Sequence, residues 1–249
     1  MDLWNKDQEI SFFTEARKFA EPEQLFYIAP DGHYYAYWPK TYGGTKTTLQ
    51  SRNSLIGKFT EAWSACLLEE FAESIGCYTV QGAVCDEIGL PRNSSADLAL
   101  CKSSSVVQKP EDIKLIFEIK MSVVWNWELE IKNREEKIIY LGDYQTHQGN
   151  PGLLRSDTML KAIGKSINIR VSSPKSKRIP IIILGNTPIT KSYHEKVDHL
   201  RKNGIIQGFW SINPNPLDES KESIKSTPGL GFQRIDNYDQ LLARLKEVF

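Results

Sequence analysis

Long apolar runs are missing from this chain. No stretch approaches the roughly 18 apolar residues of a membrane span, so a membrane-spanning helix is not expected. The opening, Met1-Asp2-Leu3-Trp4-Asn5-Lys6-Asp7, lacks the basic and apolar regions of a secretory signal, and the expected location is cytoplasmic. Cysteine is sparse. Cys66, Cys77, Cys85 and Cys101 include no Cys-x2-Cys knuckle of a zinc site, and each lies in or beside apolar sequence, as a reduced core cysteine would. Histidine is equally sparse: His33, His147, His194 and His199 form no i,i+4 metal-binding pair. Net charge is absent too, at a formal value of zero, so the overall balance does not point to a polyanion partner. There is no internal repeat, heptad array or low-complexity tract.

What is present is an ordinary globular composition. The 249 residues can build one substantial core, expected as a single domain over 1–249. Charge is unevenly placed. Asn150 to Asn203 carries eleven Lys and Arg against three acids, whereas Met1 to Pro30 carries six acids against three bases. A basic sector on a neutral chain either steers a polyanion or is a solvated face.

Helical spacing predicts helices over Glu9–Ala20, Asn53–Ile75, Ser156–Ile169, Lys191–Lys202 and Asn237–Val248. In the first, Ile10, Phe13 and Ala16 recur at helical intervals. In the second, Asn53 or Ser54 is the expected cap, and Ile56, Phe59, Trp63, Leu67 and Phe71 form the apolar stripe. Strands are predicted over Cys77–Cys85, Ser95–Cys101, Ile113–Val124, Arg178–Leu184 and Ile205–Ile212, with a hairpin around Pro30-Asp31-Gly32. Trp125 to Gly149 is ambiguous. The order implies an α/β (α+β-like) fold, a mixed central β-sheet flanked by helices, with at least one parallel pair between 179 and 212. The core spans about 76–212, and 1–75 and 213–249 are elaborations.

Three ionisable groups stand inside strands that otherwise read as core: Asp97 before Leu98-Ala99-Leu100-Cys101, and Glu118 and Lys120 within Ile113–Lys120. A buried charge costs several kcal/mol unless it is paired or bound to a metal. Residues two apart on a strand share a face, so Glu118 and Lys120 point the same way. If the Asp97 strand lies alongside, the two carboxylates can share a hard divalent ion, Mg2+, with the carbonyl of Ile119 as a further oxygen ligand. That chemistry fits phosphodiester hydrolysis, with Lys120 orienting the attacking water or adding positive charge at the reacting phosphate. Glu70, on the edge of the long helix's stripe, is the candidate ligand for a second ion. The competing reading is a surface strand with a solvent-facing Glu–Lys pair.

The arrangement Asp97…Glu118-Ile119-Lys120 resembles the PD-(D/E)xK nuclease superfamily, with Ala96 where that pattern has proline. The resemblance implies a restriction-endonuclease-like core and Mg2+-dependent cleavage of DNA. For a stand-alone chain of this size it implies a type II restriction endonuclease acting on double-stranded DNA. A homodimer is the simple way to cut both strands of a symmetric site, with the first or the last helix as the expected contact. A repair or junction-resolving nuclease on the same core, and a non-catalytic nucleic-acid-binding protein, are the alternatives. Candidate DNA contacts are Lys161, Lys165 and Arg155 at the basic helix, Gln148 and Asn150 before it, Lys191 after the buried strand, and Lys46 and Arg52 in an aromatic segment. That segment holds Tyr27, Tyr34, Tyr35, Tyr37, Trp38 and Tyr42, which either stack on bases or pack a hairpin.

Overall fold

Alternation of apolar residues on both faces of four successive segments builds a sheet that is covered on both sides. The structure, a computed structural model, describes residues 2–44 and 47–249. Its elements in chain order are α1 (Lys6–Ala16), α2 (Pro22–Leu25), β1 (Tyr27–Ile28), β2 (Tyr34–Tyr35), α3 (Gln50–Ser74), β3 (Tyr78–Ala83), β4 (Ala96–Cys101), β5 (Ile113–Lys120), β6 (Asn126–Lys132), β7 (Glu135–Gly142), α4 (Ser156–Ser172), β8 (Ile181–Gly185), α5 (His194–Lys202), β9 (Gly208–Ser211), β10 (Phe232–Arg234) and α6 (Tyr238–Lys246).

Six strands form the main sheet in the order β10-β9-β8-β5-β4-β3. β10, β9, β8 and β5 run parallel, while β4 and β3 are antiparallel additions, so the sheet is mixed. The β8–α5–β9 unit supplies the parallel crossover predicted between 179 and 212. Leu98, Leu100, Leu115, Phe117, Ile182 and Leu184 face one core with α1, α3 and α6. Ala99, Ile116, Ile181 and Ile183 face the other with Met159 and Ala162 of α4 and Val197 of α5. Each fully buried Leu, Ile or Phe contributes about 1.5–3 kcal/mol, so both faces are needed to hold the sheet.

The ambiguous stretch after β5 is a hairpin, β6–β7, in a second sheet ordered β1-β2-β6-β7. It turns on two residues, Asn133 and Arg134, both with positive φ (53° and 68°), as a two-residue hairpin of right-handed twist requires. Several elements differ from the sequence reading: the first helix is Lys6–Ala16 and not Glu9–Ala20, the strand expected to reach Val124 ends at Lys120, and α5 begins at His194 and not Lys191. α3 starts at Gln50, without a side-chain cap, because Asn53 already donates its backbone N–H to Leu49. The inner face of α1 is Glu9, Phe12, Phe13 and Ala16, leaving Ile10 on the surface. β10, three residues long, has too short a pattern to be read.

Glu9 is fully buried and lies at the junction of the two sheets. Its carboxylate accepts from Trp4 Nε1 (3.3 Å), Val124 N (2.6 Å), Trp125 N (3.3 Å) and Trp127 Nε1 (2.8 Å). Burial pushes its carboxyl up to about 8, against the pull of these four donors. The clamp fixes the chain leaving β5, and with it the end of the strand that carries Glu118 and Lys120. Among the described residues no helix is long and apolar enough to cross a membrane.

Candidate active site

β4 and β5 pair antiparallel with Leu98 opposite Phe117 and Ala99 opposite Ile116. Continuing that register sets Asp97 against Glu118, on the face covered by α4. At this point the Asp97 carboxylate takes over from the ladder: its Oδ2 accepts the backbone N–H of Ile119 at 2.8 Å. Glu118 and Lys120 share that face, as the two-residue spacing predicts.

Three oxygens converge on one point. Lys120 Nζ occupies it, 3.0 Å from Asp97 Oδ2, 2.7 Å from Glu118 Oε1 and 3.0 Å from the Ile119 carbonyl. A second ammonium closes the group from α4. Lys165 Nζ lies 3.0 Å from Asp97 Oδ1 and 2.6 Å from Glu118 Oε2. Two acids and two lysines thus form a ring, Glu118 only 5% exposed at its side chain and the others between 16% and 20%. Glu118 Oε2 is buried, and the Lys165 ammonium 2.6 Å away is the group that compensates it.

The two acids of the ring differ in character. Burial opposes ionisation of Asp97, but Lys120 and Lys165 outweigh it and hold the carboxyl below its usual range. For Glu118, burial together with the Asp97 charge outweighs the lysines and raises the carboxyl. Burial would lower the Lys120 ammonium, but Glu118 and Asp97 raise it instead, so it stays charged.

A third acid stands close by, and it is Glu61 of α3. Burial raises its carboxyl, and the Asp97 and Glu118 charges raise it further while both lysines pull it down. Glu70 is not near this group. It lies nine residues further along the helix, which is about two and a half turns and so the opposite side. There it is exposed and sits beside Tyr238 of α6. The stripe read in the sequence faces the core, and the side of α3 that carries Glu61 toward the ring does not carry Glu70, so the fold does not bring Glu70 to this group.

The donor set fits a hard divalent cation. Asp97, Glu118 and the Ile119 carbonyl offer only oxygen, and the Lys120 ammonium already marks the position where positive charge is held. Among the described residues no group of three or more His, Cys, Asp or Glu is placed to hold a metal alone. Mg2+, which keeps several waters, needs fewer protein ligands than that.

The predicted DNA-contact residues divide into three groups. Lys165 belongs to the ring, not to an outer phosphate-binding face. Lys161 and Lys191 are exposed. Arg52, Gln148, Asn150 and Arg155 come together around one cavity beside Ser122. Lys46 lies outside the described residues. The aromatic segment packs mainly on itself: Trp38 stacks between Tyr27 (5.0 Å) and Tyr42 (3.8 Å), and Tyr37 stacks on His147 (3.9 Å). Of the two helices expected at a dimer contact, α1 buries Phe12 and Phe13 and α6 buries Leu241 and Leu245 in the core.

Comparison of the chain with protein-family models, with curated proteins and with solved structures gives no match.

Proposed function

We propose that this protein is a Mg2+-dependent endodeoxyribonuclease of the PD-(D/E)xK type, working as a type II restriction endonuclease on double-stranded DNA. The observation that carries the reading is the convergence of Asp97 Oδ2, Glu118 Oε1 and the Ile119 carbonyl on one cation position, at 2.7–3.0 Å from the ammonium now there. A solvated Glu–Lys pair on a surface strand would not be sunk among apolar residues, nor joined by an aspartate and a second lysine from two other elements.

Asp97, Glu118 and the Ile119 carbonyl would hold the ion, with Glu61 near enough to add negative charge. When bound, such an ion neutralises a phosphate oxygen and makes water a better nucleophile at neutral pH. The chain's own side chains do the rest. Lys120, displaced from the three oxygens, stays tethered at the end of β5, where its N–H groups can orient a water or donate to a phosphate oxygen. Lys165 brings a second positive charge against the phosphate from the helix side. Water adds to phosphorus, the phosphorus–oxygen ester bond breaks, and the proton passes to the leaving oxygen. Cutting both strands takes two copies of the chain, one for each strand.

The test is incubation of purified protein with long unmethylated duplex DNA, in Mg2+ and in EDTA, followed by mapping of the ends. Discrete fragments in Mg2+ alone support the reading, and Asp97→Asn should abolish them. Cleavage confined to branched DNA would replace restriction with junction resolution. Salt-dependent binding without hydrolysis would leave a non-catalytic DNA-binding protein.

A further inference from the structure

A buried cation without an anion stands at the start of α3. Arg52 is 5% exposed, and among the described residues no carboxylate pairs with it. Its guanidinium lies beside the rings of Tyr27 (5.4 Å) and Tyr37 (5.1 Å), and its Nη1 donates to the carbonyls of Leu25 and Ala36. The Nε–Nη2 edge is free. Neither nitrogen makes a hydrogen bond among the described residues, and unlike the neighbouring Trp38 Nε1 neither is sealed from the surface. Arg52 lines a cavity of about 660 Å3, and the free edge opens there. A buried charge without its counter-charge is costly, so this edge calls for an anion.

A second set of donors lines the same cavity. α4 begins there, and its first turn has no side-chain cap. The first bond of the helix runs from the Met159 N–H to the Arg155 carbonyl at 3.1 Å, so the N–H groups of Ser156 and Asp157 have no backbone acceptor. The helix dipole adds positive charge at this end. Asp157 is the one acid of the lining among the described residues, and Arg155 holds it by two bonds of 2.9 and 2.8 Å. That pair cancels, and Arg52 is the unbalanced charge. Tyr37 feels the positive charges of both Arg52 and Arg155, which places the two walls about one ring. The donors of α4 are fixed from beneath: Thr187, fully buried, accepts the Leu153 N–H at 2.8 Å and so holds the 151–155 loop that leads into the helix.

An arginine fork takes two oxygens of a carboxylate or of a phosphate. A carboxylate is then used up, because its two oxygens share one plane with the fork. A phosphate has further oxygens out of that plane, and the N–H groups at the start of α4 are donors for them. The cavity exceeds a lone phosphate group and leaves room for the chain that carries it. It also adjoins the ring of charges. Ser122, in its lining, is two residues beyond Lys120, about 7 Å along extended chain. Gly185, paired with Lys120, is where the 151–155 loop closes over the strand ends, since a side chain there would meet Leu153 at 2.5 Å.

We propose that this cavity is a phosphate site, in which the free edge of Arg52 and the first N–H groups of α4 hold a backbone phosphate of the substrate strand next to the cleaved one. The proposal rests on the nuclease reading for the strand, but not for the binding of phosphate. It is tested in EDTA, without hydrolysis, by calorimetric titration of the full-length protein with inorganic phosphate and with acetate at equal ionic strength, followed by competition with a short DNA duplex. Phosphate should bind and acetate should not. Arg52→Lys keeps the charge and loses the fork, and it should weaken phosphate binding about tenfold, the worth of one hydrogen bond to a charged group. Its folding is checked by circular dichroism. Ser156→Pro removes one N–H at the first helical position, where proline suits a helix, so the fold is kept and phosphate binding should again weaken about tenfold. The duplex should displace phosphate and lose affinity in the same two variants. No binding of phosphate, equal binding of acetate, or unchanged affinity in Ser156→Pro overturns the site. Phosphate that the duplex does not displace overturns the assignment to the substrate strand and makes the occupant a free phosphate compound. DNA cleavage without phosphate binding rejects the site alone, while phosphate binding without cleavage rejects the nuclease reading alone.

Discussion

Removing Lys165 tests the ring of charges directly. In Lys165→Met the stem is kept and the ammonium lost, leaving Asp97 Oδ1 and Glu118 Oε2 without the contacts they have at 3.0 and 2.6 Å. All four side chains are at most 20% exposed, so water replaces the lost cation poorly. Breaking a buried pair by deleting one partner costs about 3–5 kcal/mol. Since 1 kcal/mol moves the melting temperature of a chain this long by about 2–4 °C, a fall of roughly 6–20 °C follows. The same deletion leaves two carboxylates facing one lysine, so a divalent cation should enter more readily than in the wild type. Occupancy at a hundred times Kd restores about 2.7 kcal/mol. Differential scanning fluorimetry of both proteins, in EDTA and across a Mg2+ series, measures both effects. The reasoning is refuted if the variant melts within about 2 °C of the wild type in EDTA, a loss of under ~1 kcal/mol. Equal Mg2+-dependent shifts in the two proteins refute it as well.

Glu61→Gln should reduce Mg2+-dependent cleavage at least tenfold while Glu70→Gln leaves it within twofold, and initial rates on a defined duplex decide between the two positions. Lys120→Met should lose turnover while retaining DNA binding, as read by fluorescence anisotropy in Ca2+. The buried Glu9 makes a pH prediction. Its folded carboxyl titrates near 8, above the ordinary 4.5, so the folded state binds the extra proton between those values and stability falls as pH rises through that window. Chemical denaturation from pH 5 to 8 should give a downward slope in the wild type that is flattened in Glu9→Gln; parallel slopes would remove Glu9 as its source. Phe117→Ala, in the centre of the sheet with no polar contact, should cost about 3–5 kcal/mol at every pH, as measured by the denaturation midpoint.

The main sheet was legible because its strands carry little else but core. Ile113–Lys120 and Ile181–Gly185 are buried on both faces, and a continuous apolar run between polar turns has few other uses. The hairpin β6–β7 was not legible. Glu128 and Glu130 alternate with apolar residues as in a half-exposed strand, but in β7 three exposed charges, Glu135, Glu136 and Lys137, are followed by an unbroken apolar run, Ile138–Leu141, so its sequence shows no period of two. β10 is set by its neighbour β9 and not by its own pattern. The buried acid of α1 was hidden for a related reason. A helix wheel scores Glu9 as surface, and only the donors arriving from Trp4, Val124, Trp125 and Trp127 make its burial tolerable.

The candidate site was legible to the extent that it is local. Asp97, Glu118 and Lys120 belong to adjacent strands, and the two-residue period alone puts the last two on one side. The contributions of the helices are not local in that sense. Lys165 lies 68 positions from Asp97, and nothing in its own surroundings separates it from Lys161, one turn away. Yet α4 presents one of these lysines to the ring and the other to solvent. The choice follows from how Met159, Ala162 and Ile169 seat the helix on the sheet, which fixes its rotation. Glu61 and Glu70 are divided in the same way by the seating of α3. A helix with several charged residues therefore reveals its site residue only once its buried face is known. On α3 the choice can be checked with a charge reversal: Glu61→Lys would set a third ammonium against Lys120 and Lys165, and should destabilise the fold far more than Glu70→Lys on the exposed side. Equal effects of the two reversals would mean that α3 does not serve the ring at all.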